Sequence, residues 1–194
     1  MFQSPIDRDW ETSSVINMYA MFYDAFSFNN GDDPGISDKP LTWITSNVKY
    51  MSQMFTNAKA FNQDISSWDT SNVLNMSLMF QNANKFNQYI SKWKTYSVIS
   101  MYAMFNNNES FNNGDNPGIS DKPLTWITSN VKNMSSMFQN AKAFNQDISS
   151  WDTSNVLNMS QMFENADTFN QDISKWNVKN VFYMTNMFNG AFGS

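Results

Sequence analysis

The spacing of the tryptophans is the feature that most constrains how this chain can fold. Successive tryptophans are separated by 33, 25, 25, 33, 25 and 25 residues. They are Trp10, Trp43, Trp68, Trp93, Trp126, Trp151 and Trp176. Two periods are therefore nested, a unit of 25 residues and a block of 83 residues that holds three units. Such a fixed period is typical of a solenoid, in which each unit packs only on its neighbours.

The repeated unit reads W-x-T-S-N-V-x-N-M-S-x-M-F-x-N-A-x-x-F-N-Q-D-I-S-x and predicts one helix and one strand. Its central apolar residues follow the spacing of an amphipathic helix, with residues 70–72 as a candidate N-cap. In the third unit they are Val73, Met76, Met79, Phe80 and Ala83. The short segment around Ile148 predicts a brief strand. We therefore expect an α/β, leucine-rich-repeat-like solenoid of about seven coils, each a short helix plus a short parallel strand.

Two of the units carry eight additional residues each, and these insertions predict loops. The segments NNGDDPGISDKPL and NNGDNPGISDKPL place them at about 30–39 and 113–122 of a single solenoid that spans residues 1–194. Gly-Asp-x-Pro-Gly is a turn-forming sequence, so both loops are expected to project from the same edge. Loops on a regular scaffold are the best candidates for recognition.

The composition excludes several classes of chemistry. Histidine and cysteine are both absent, which rules out Ser-His-Asp and Cys-His catalysis and zinc sites of the His/Cys kind. A net charge of −5 argues against a nucleic-acid partner, which needs a basic surface. No apolar run reaches membrane-spanning length, so no membrane insertion by this segment is expected. We expect no cofactor and no enzymatic activity.

Acidic residues are the remaining candidates for a site. One repeat position holds aspartate in three units and tyrosine in a fourth. Carboxylates on adjacent coils would match the ~5 Å separation of retaining glycosidases, but a residue that recurs with the period is more typical of a structural position. The loop acids either lie in solvated turns or gather oxygen ligands for calcium, although their spacing does not match that of an EF-hand. The candidate binding residues are Asp64, Tyr89, Asp147, Asp172, Asp32, Asp33, Asp38, Asp115, Asn116 and Asp121.

Aromatic and amide residues recur at other positions of the unit. The tryptophans are either part of the core, which we favour, or an exposed surface ladder. If they are buried, a bulge or a turn must separate Ile148 from Trp151, since a plain strand would point them to opposite faces. Two asparagine columns predict amide ladders from coil to coil. They are Asn57, Asn82, Asn107, Asn140 and Asn165, and Asn62, Asn87, Asn112, Asn145 and Asn170.

The complete motif W-D-T-S-N-V-x-N-M-S-x-M-F-x-N-A-x-x-F-N-Q-D-I-S resembles a known family of surface repeats. Residues 68–92 and 151–175 carry it most fully. It is similar to the BspA-like leucine-rich-repeat surface proteins, and more narrowly to their Mycoplasma-lipoprotein-type branch, a repeat domain of unknown function. The resemblance implies a cell-surface or extracellular location, adhesion or binding of host proteins, and no enzyme activity. It carries over no binding residues.

Three functional hypotheses follow. The first is a surface-displayed module that binds a protein or glycan on another cell or surface. The second is a structural spacer or assembly segment of a larger surface protein, with end-to-end self-association. The third is an ice-binding face formed by a column of threonines. That column is Thr12, Thr45, Thr70, Thr95, Thr128 and Thr153. The start of the chain lacks the pattern of a signal peptide, and we expect a segment of a longer protein.

Overall fold

The computed structural model describes residues 10–192, which wind into seven stacked coils. Coils 1 to 7 are residues 10–42, 43–67, 68–92, 93–125, 126–150, 151–175 and 176–192. One residue from each coil joins a ladder of isolated parallel β-bridges. The bridged residues are Asn17, Tyr50, Asn75, Ser100, Asn133, Asn158 and Tyr183. Apart from this ladder, residues 10–192 contain no strand, and they contain no α-helix.

The prediction of an α/β, leucine-rich-repeat-like solenoid is therefore wrong. The segment expected to be helical is a series of tight turns, and the segment expected to be a strand is a turn as well. In the latter, the Trp151 N–H donates to the Ile148 carbonyl at 3.1 Å. This turn allows both side chains to be buried although they are three residues apart. Because residues 10–192 contain no helix, the threonine column does not cap one.

Backbone hydrogen bonds explain how a coil without helices is held together. In coil 5 the N–H groups of Ser136, Phe138 and Asn140 donate to carbonyls of coil 6 at 2.8–2.9 Å. The intervening N–H groups of residues 137, 139 and 141 donate to carbonyls three residues earlier in their own coil. The N–H groups therefore alternate along the segment. One donates to the following coil, and the next closes a turn within its own coil. This arrangement satisfies the backbone of a segment whose side chains fill the core.

Two positions in each series of turns require a left-handed backbone. The second of these positions, which is residue 140 in coil 5, is occupied by asparagine in five coils, with φ between 54° and 61°. Asparagine tolerates this conformation better than most residues, and Gly190 takes the same place in coil 7 with φ of 70°. The asparagine amides also bond from coil to coil, as from Asn140 to Asn107 at 2.6 Å and from Asn165 to Asn140 at 3.0 Å. The predicted amide ladder is confirmed.

The core is built from columns of stacked aromatic rings and methionines. Coils 2 to 7 bury their tryptophans, and adjacent rings lie 6.0–6.4 Å apart along these coils. Each of the last five tryptophans donates its indole N–H to a backbone carbonyl 27–36 residues earlier in the chain, as Trp151 does to Leu124 at 2.7 Å. Burial of these six tryptophans is confirmed, whereas Trp10 in coil 1 is half exposed.

The threonine column is also interior. Each of its six side chains is at most 6% exposed, and each hydroxyl donates to a carbonyl of the following coil at 2.8–3.0 Å. These threonines therefore connect coils and offer no surface to ice. The ice-binding hypothesis loses the face on which it rests.

Candidate recognition surface

Loop 1 (residues 30–39) and loop 2 (residues 113–122) leave the solenoid at equivalent points of coils 1 and 4. Each folds back over the following coil. The Gly35 N–H donates to the Ala60 carbonyl at 3.0 Å, and the Gly118 N–H donates to the Ala143 carbonyl at 2.9 Å. The loops were expected to project from one edge, but these hydrogen bonds hold them against the coil surface.

A buried glutamine fastens each loop to the solenoid. The Gln63 side chain donates to the Ile36 carbonyl at 3.0 Å and accepts from the Lys39 N–H at 2.9 Å. Gln63 is fully buried, so the loop backbone supplies the partners that its amide requires. The equivalent glutamine in coil 5, Gln146, bonds in the same way to Ile119 and Lys122. The F-N-Q segment of the repeat was the signal for this role, which the sequence analysis did not assign.

One aspartate in each loop organises that loop from within. The Asp32 carboxylate pairs with the Lys39 ammonium at 3.0 Å and accepts from the Asp38 N–H at 2.9 Å. Asp115 accepts from the N–H groups of Asn116 and Asp121 at 3.0 and 3.1 Å. Both aspartates were candidate binding residues, and the structure places their oxygens on the loop backbone.

The pKa values of both carboxyls reflect these contacts. Burial raises the pKa of Asp32, but the hydrogen bonds from Lys39, Gln63 and Asp38 outweigh burial and leave its pKa below the usual value. Burial likewise raises the pKa of Asp115, and the hydrogen bonds from Asp121, Asn116 and Gln146 bring its pKa below the usual value. In each loop the ionised carboxylate is the form that the fold stabilises.

We predict that both loops loosen in acid. A carboxyl with a lowered folded-state pKa adds stability that is fully present above its unfolded pKa of ~3.9 and is lost as the pH falls through the folded value. The protection factors of the Asp38 and Asp121 amides, which are the exchange rates corrected for the intrinsic effect of pH, should therefore be constant near neutral pH and fall below about pH 4. The Asp32→Asn/Asp115→Asn variant should lose this transition. An unchanged transition in that variant would contradict the assignment.

The other loop candidates face solvent. Asp33, Asp38, Asn116 and Asp121 are exposed. Two isoleucines that the sequence analysis did not single out are exposed beside them, Ile36 at 47% and Ile119 at 44%. Their place in both copies of G-I-S-D-K indicates a shared role but not their exposure. Each loop thus presents an apolar side chain next to acidic or amide groups.

The column of Asp64, Tyr89, Asp147 and Asp172 has a structural and an exposed part. The three aspartates each accept from the backbone N–H of the serine two residues later, at 2.8–2.9 Å. The hydrogen bonds from Ser174 hold the pKa of Asp172 below its usual value. These carboxylates stabilise the turn that leads to each tryptophan, which explains why they recur with the period. Tyr89 has no such role and is 40% exposed.

The column and the loops meet on one arc of the coil. Two residues after loop 1, the Leu41 N–H donates to the Asp64 carbonyl at 3.2 Å, and two residues after loop 2 the Leu124 N–H donates to the Asp147 carbonyl at 3.1 Å. Loop 2 also closes on Tyr89, because a Cβ added at Gly114 would lie 3.1 Å from the Tyr89 nitrogen. We call the two loops and this column the recognition arc. It contains eight aspartates and two lysines.

Carboxylates on this arc are spread rather than clustered. Within residues 10–192, no three acidic, histidine or cysteine side chains lie together as metal ligands. In loop 1 the best-placed oxygens, those of Asp32, already bind Lys39 and the loop backbone. Calcium binding by Asp32 would require its ion pair with Lys39 and its hydrogen bonds to the loop to break.

Comparison with known proteins identifies one family. The model of a Mycoplasma protein family of unknown function, DUF285, matches residues 1–38, 32–117 and 118–193. These three matches together span nearly the whole chain. No curated protein and no solved structure matches it.

Proposed function

Because the chain belongs to the Mycoplasma protein family of unknown function DUF285, we propose that it is a non-catalytic repeat module displayed at a cell surface or outside the cell. Its task is to bind a protein or glycan partner through the recognition arc. The family is shown by the match, while the finer kinship with BspA-like adhesins and the surface location are part of the proposal. In the described residues no helix is long and apolar enough to cross a membrane.

The observation that carries the proposal is the duplication of a fastened loop. Loops 1 and 2 have nearly the same sequence, the same buried glutamine beneath them and the same exposed isoleucine at the surface. They lie three coils apart, or about 14 Å at the usual spacing of paired strands. A partner that contacts both loops gains from bivalence, since the second contact is made at high effective concentration.

The chemistry of the arc favours a protein partner with a basic surface. Exposed Ile36 and Ile119 offer apolar contacts, and the exposed carboxylates of Asp33, Asp38 and Asp121 add negative charge to the same loops. Such charges mainly steer association and choose among partners. Fewer features of the arc favour a glycan partner, and the main one is the exposed ring of Tyr89 in the column of carboxylates.

We predict that the two isoleucines act together in binding. On arrays of purified extracellular proteins and, separately, of glycans, the chain should retain proteins with basic surfaces, and binding should weaken between 0.1 and 1 M salt as the Debye length falls from ~10 to ~3 Å. Ile36→Ser or Ile119→Ser alone should weaken binding by roughly 100-fold, because loss of either contact removes bivalence. The double variant should weaken it further, since the remaining loop contact is then lost as well.

The matched control carries the same two substitutions elsewhere. Ile99 and Ile127 are as exposed as the loop isoleucines but lie outside the recognition arc. The Ile99→Ser/Ile127→Ser variant should bind like the parent chain. Equal losses in both double variants would exclude the arc as the binding surface, and selective retention of glycans would replace the protein partner.

A second candidate function is a spacer or assembly segment. It is favoured by a separate observation, the unbroken series of backbone hydrogen bonds and β-bridges that joins each described coil to the next.

A further inference from the structure

Four inner coils carry a surface without acidic residues. One segment in each of coils 2 to 5 contains no aspartate or glutamate, although the chain has 17 such residues. These segments are residues 45–58, 70–83, 95–108 and 128–141. Their only charged side chains are Lys49 and Lys132. Coils 1 and 6 flank this stretch through further β-bridges, so the exposure of its side chains does not depend on the ends of the solenoid.

The two lysines lie in one column with two apolar residues between them. The Leu74 N–H donates to the Lys49 carbonyl at 2.9 Å, and the Ile99 N–H donates to the Leu74 carbonyl at 2.8 Å. The Lys132 N–H donates to the Ile99 carbonyl, also at 2.8 Å. These four residues therefore hold one position in four successive coils, beside the β-bridge ladder. At the usual spacing of paired strands, the two lysine backbones are about 14 Å apart.

The side chains of this column and two adjacent tyrosines are available to a partner. Both lysines are exposed, and within residues 10–192 neither ammonium has an ion pair or a hydrogen-bond partner. Ile99 is 46% exposed, and Leu74 is half-buried. The tyrosines are 42% and 40% exposed, at positions where coil 3 has asparagine and serine. We call this surface the bridge patch, formed by Lys49, Tyr50, Leu74, Ile99, Tyr102 and Lys132.

We propose that the bridge patch binds an extended, acidic segment of a partner protein. Two carboxylates of the segment pair with the two lysines, and an apolar side chain between them packs on Leu74 and Ile99. In an extended chain, residues i, i+2 and i+4 point to one face, and residues i and i+4 are about 13 Å apart. This distance matches the separation of the lysine backbones. The preferred segment therefore reads acidic-x-apolar-x-acidic and lies along the axis of the solenoid.

The narrow apolar centre favours a peptide over other anionic partners. Each coil contributes one apolar side chain to the column, next to polar residues such as Asn75 and Ser100. Binding to an anionic membrane typically uses about four to eight basic residues, and this patch has two. The uninterrupted charge of a nucleic acid would leave Leu74 and Ile99 without an apolar contact. The backbone of the column is already bonded from coil to coil, so the peptide is held by its side chains.

The bridge patch shares no residue with the recognition arc and selects the opposite charge. The proposal therefore holds whether or not the arc binds basic proteins. The Ile99→Ser/Ile127→Ser variant remains a control for the arc, because the partners expected there are basic. On a protein array, this variant should lose acidic proteins and keep basic ones.

The test is an NMR titration of the isotope-labelled 194-residue chain with the heptapeptide T-D-T-I-T-D-T. The peptide has the required spacing, and threonine favours an extended chain. The amide signals of Leu74 and Ile99 should shift as the peptide is added, and binding should weaken between 0.1 and 1 M salt as the Debye length falls from ~10 to ~3 Å. The peptides T-K-T-I-T-K-T and T-D-T-S-T-D-T should each bind roughly tenfold more weakly, since one lacks the ion pairs and the other lacks the apolar contact.

Substitutions in the chain test the same contacts from the other side. Lys49→Gln and Lys132→Gln should each weaken binding of T-D-T-I-T-D-T by roughly two- to fivefold, the usual effect of losing an exposed ion pair. Ile99→Ser should weaken it by roughly tenfold. The matched controls are Lys94→Gln and Ile127→Ser, which change exposed residues outside the patch and should leave binding unchanged.

Three results would overturn the proposal. The first is the absence of any shift at Leu74 and Ile99 with millimolar peptide. The second is equal binding of the acidic and lysine peptides, or equal losses in Lys49→Gln and Lys94→Gln, which would reduce the effect to net charge. The third is sedimentation of the chain with vesicles of phosphatidylglycerol and phosphatidylcholine that Lys49→Gln abolishes, because the occupant would then be a membrane. The peptide series needs no substitution in the chain, so it decides the question if a variant unfolds.

Discussion

Replacing Phe138 with aspartate should unfold several coils together. Phe138 is fully buried, and its ring stacks on Phe105, Phe163 and Phe144 at 5.6, 5.7 and 3.9 Å. Truncating such a ring alone costs about 3–5 kcal/mol. An unpaired charge adds a further penalty. The total approaches the 5–15 kcal/mol that stabilises a typical domain. Because each coil depends on its neighbours, the loss extends beyond coil 5.

Urea denaturation followed by tryptophan fluorescence measures this effect. Phe182→Asp is the matched control, because Phe182 is 77% exposed at the end of the solenoid. It should change the free energy of unfolding by less than about 0.5 kcal/mol. Cooperative unfolding of Phe138→Asp at the parent's urea midpoint would contradict the stacked core.

Substitutions of Asn140 should show the second largest effect and reveal the backbone conformation. Asn140 has φ of 58°, and its amide bonds to Asn107 and Asn165 at 2.6 and 3.0 Å. Asn140→Gly removes the two amide contacts and should cost about 1–3 kcal/mol. Asn140→Ala should cost about 1–2 kcal/mol more than glycine, because alanine is strained in the left-handed region. Asn140→Val should be worse again, since its side chain is β-branched.

The order of glycine and alanine is the informative result. In a helix, alanine would be more stable than glycine by about 1 kcal/mol. At a left-handed position the order is reversed. Ala141→Gly is the control, because no positive φ is found at residue 141 and glycine should destabilise there. Thermal or urea unfolding of the four variants compares the two orders directly, and an alanine variant more stable than the glycine variant would contradict the turn structure.

Burial could be predicted from the sequence, but the backbone conformation could not. Val73, Met76 and Met79 are all fully buried, as their spacing of three indicated. That spacing is shared by an amphipathic helix and by successive turns closed with bonds from residue i to i+3. The helix requires 3.6 residues per turn, and a stripe of five residues is too short to separate the two periods.

The signal that separates them was in the asparagine column. The seven equivalent positions hold only aspartate, asparagine or glycine, from Asp24 through Asn140 to Gly190. All seven have positive φ, between 54° and 70°. These three residue types are the ones that enter the left-handed region most readily. Their recurrence at one position predicts a turn in every coil, and a helix would tolerate almost any residue there.

The candidate site could be predicted in outline. The loops depart from the plain repeat and the column holds its recurring acidic residues, which is why the sequence predicts both as candidates, and the structure brings them to one arc. The sequence does not predict that the Asp32 and Asp115 carboxylates bind groups within their own loops. These contacts form only because each loop folds so that a lysine or a backbone N–H lies beside the carboxylate. The exposure of Ile36 and Ile119 depends likewise on how each loop folds over the next coil.

The central claim is that each coil is a series of turns joined to the next coil by alternate N–H groups. Scalar coupling across hydrogen bonds, measured by NMR on isotope-labelled chain, tests it most directly at Asn140. The turn structure predicts coupling between the Asn140 nitrogen and the carbonyl carbon of Glu164 in the next coil, whose oxygen lies 2.8 Å away. Coupling to the Ser136 carbonyl carbon, four residues earlier, would instead show an α-helix and contradict the account.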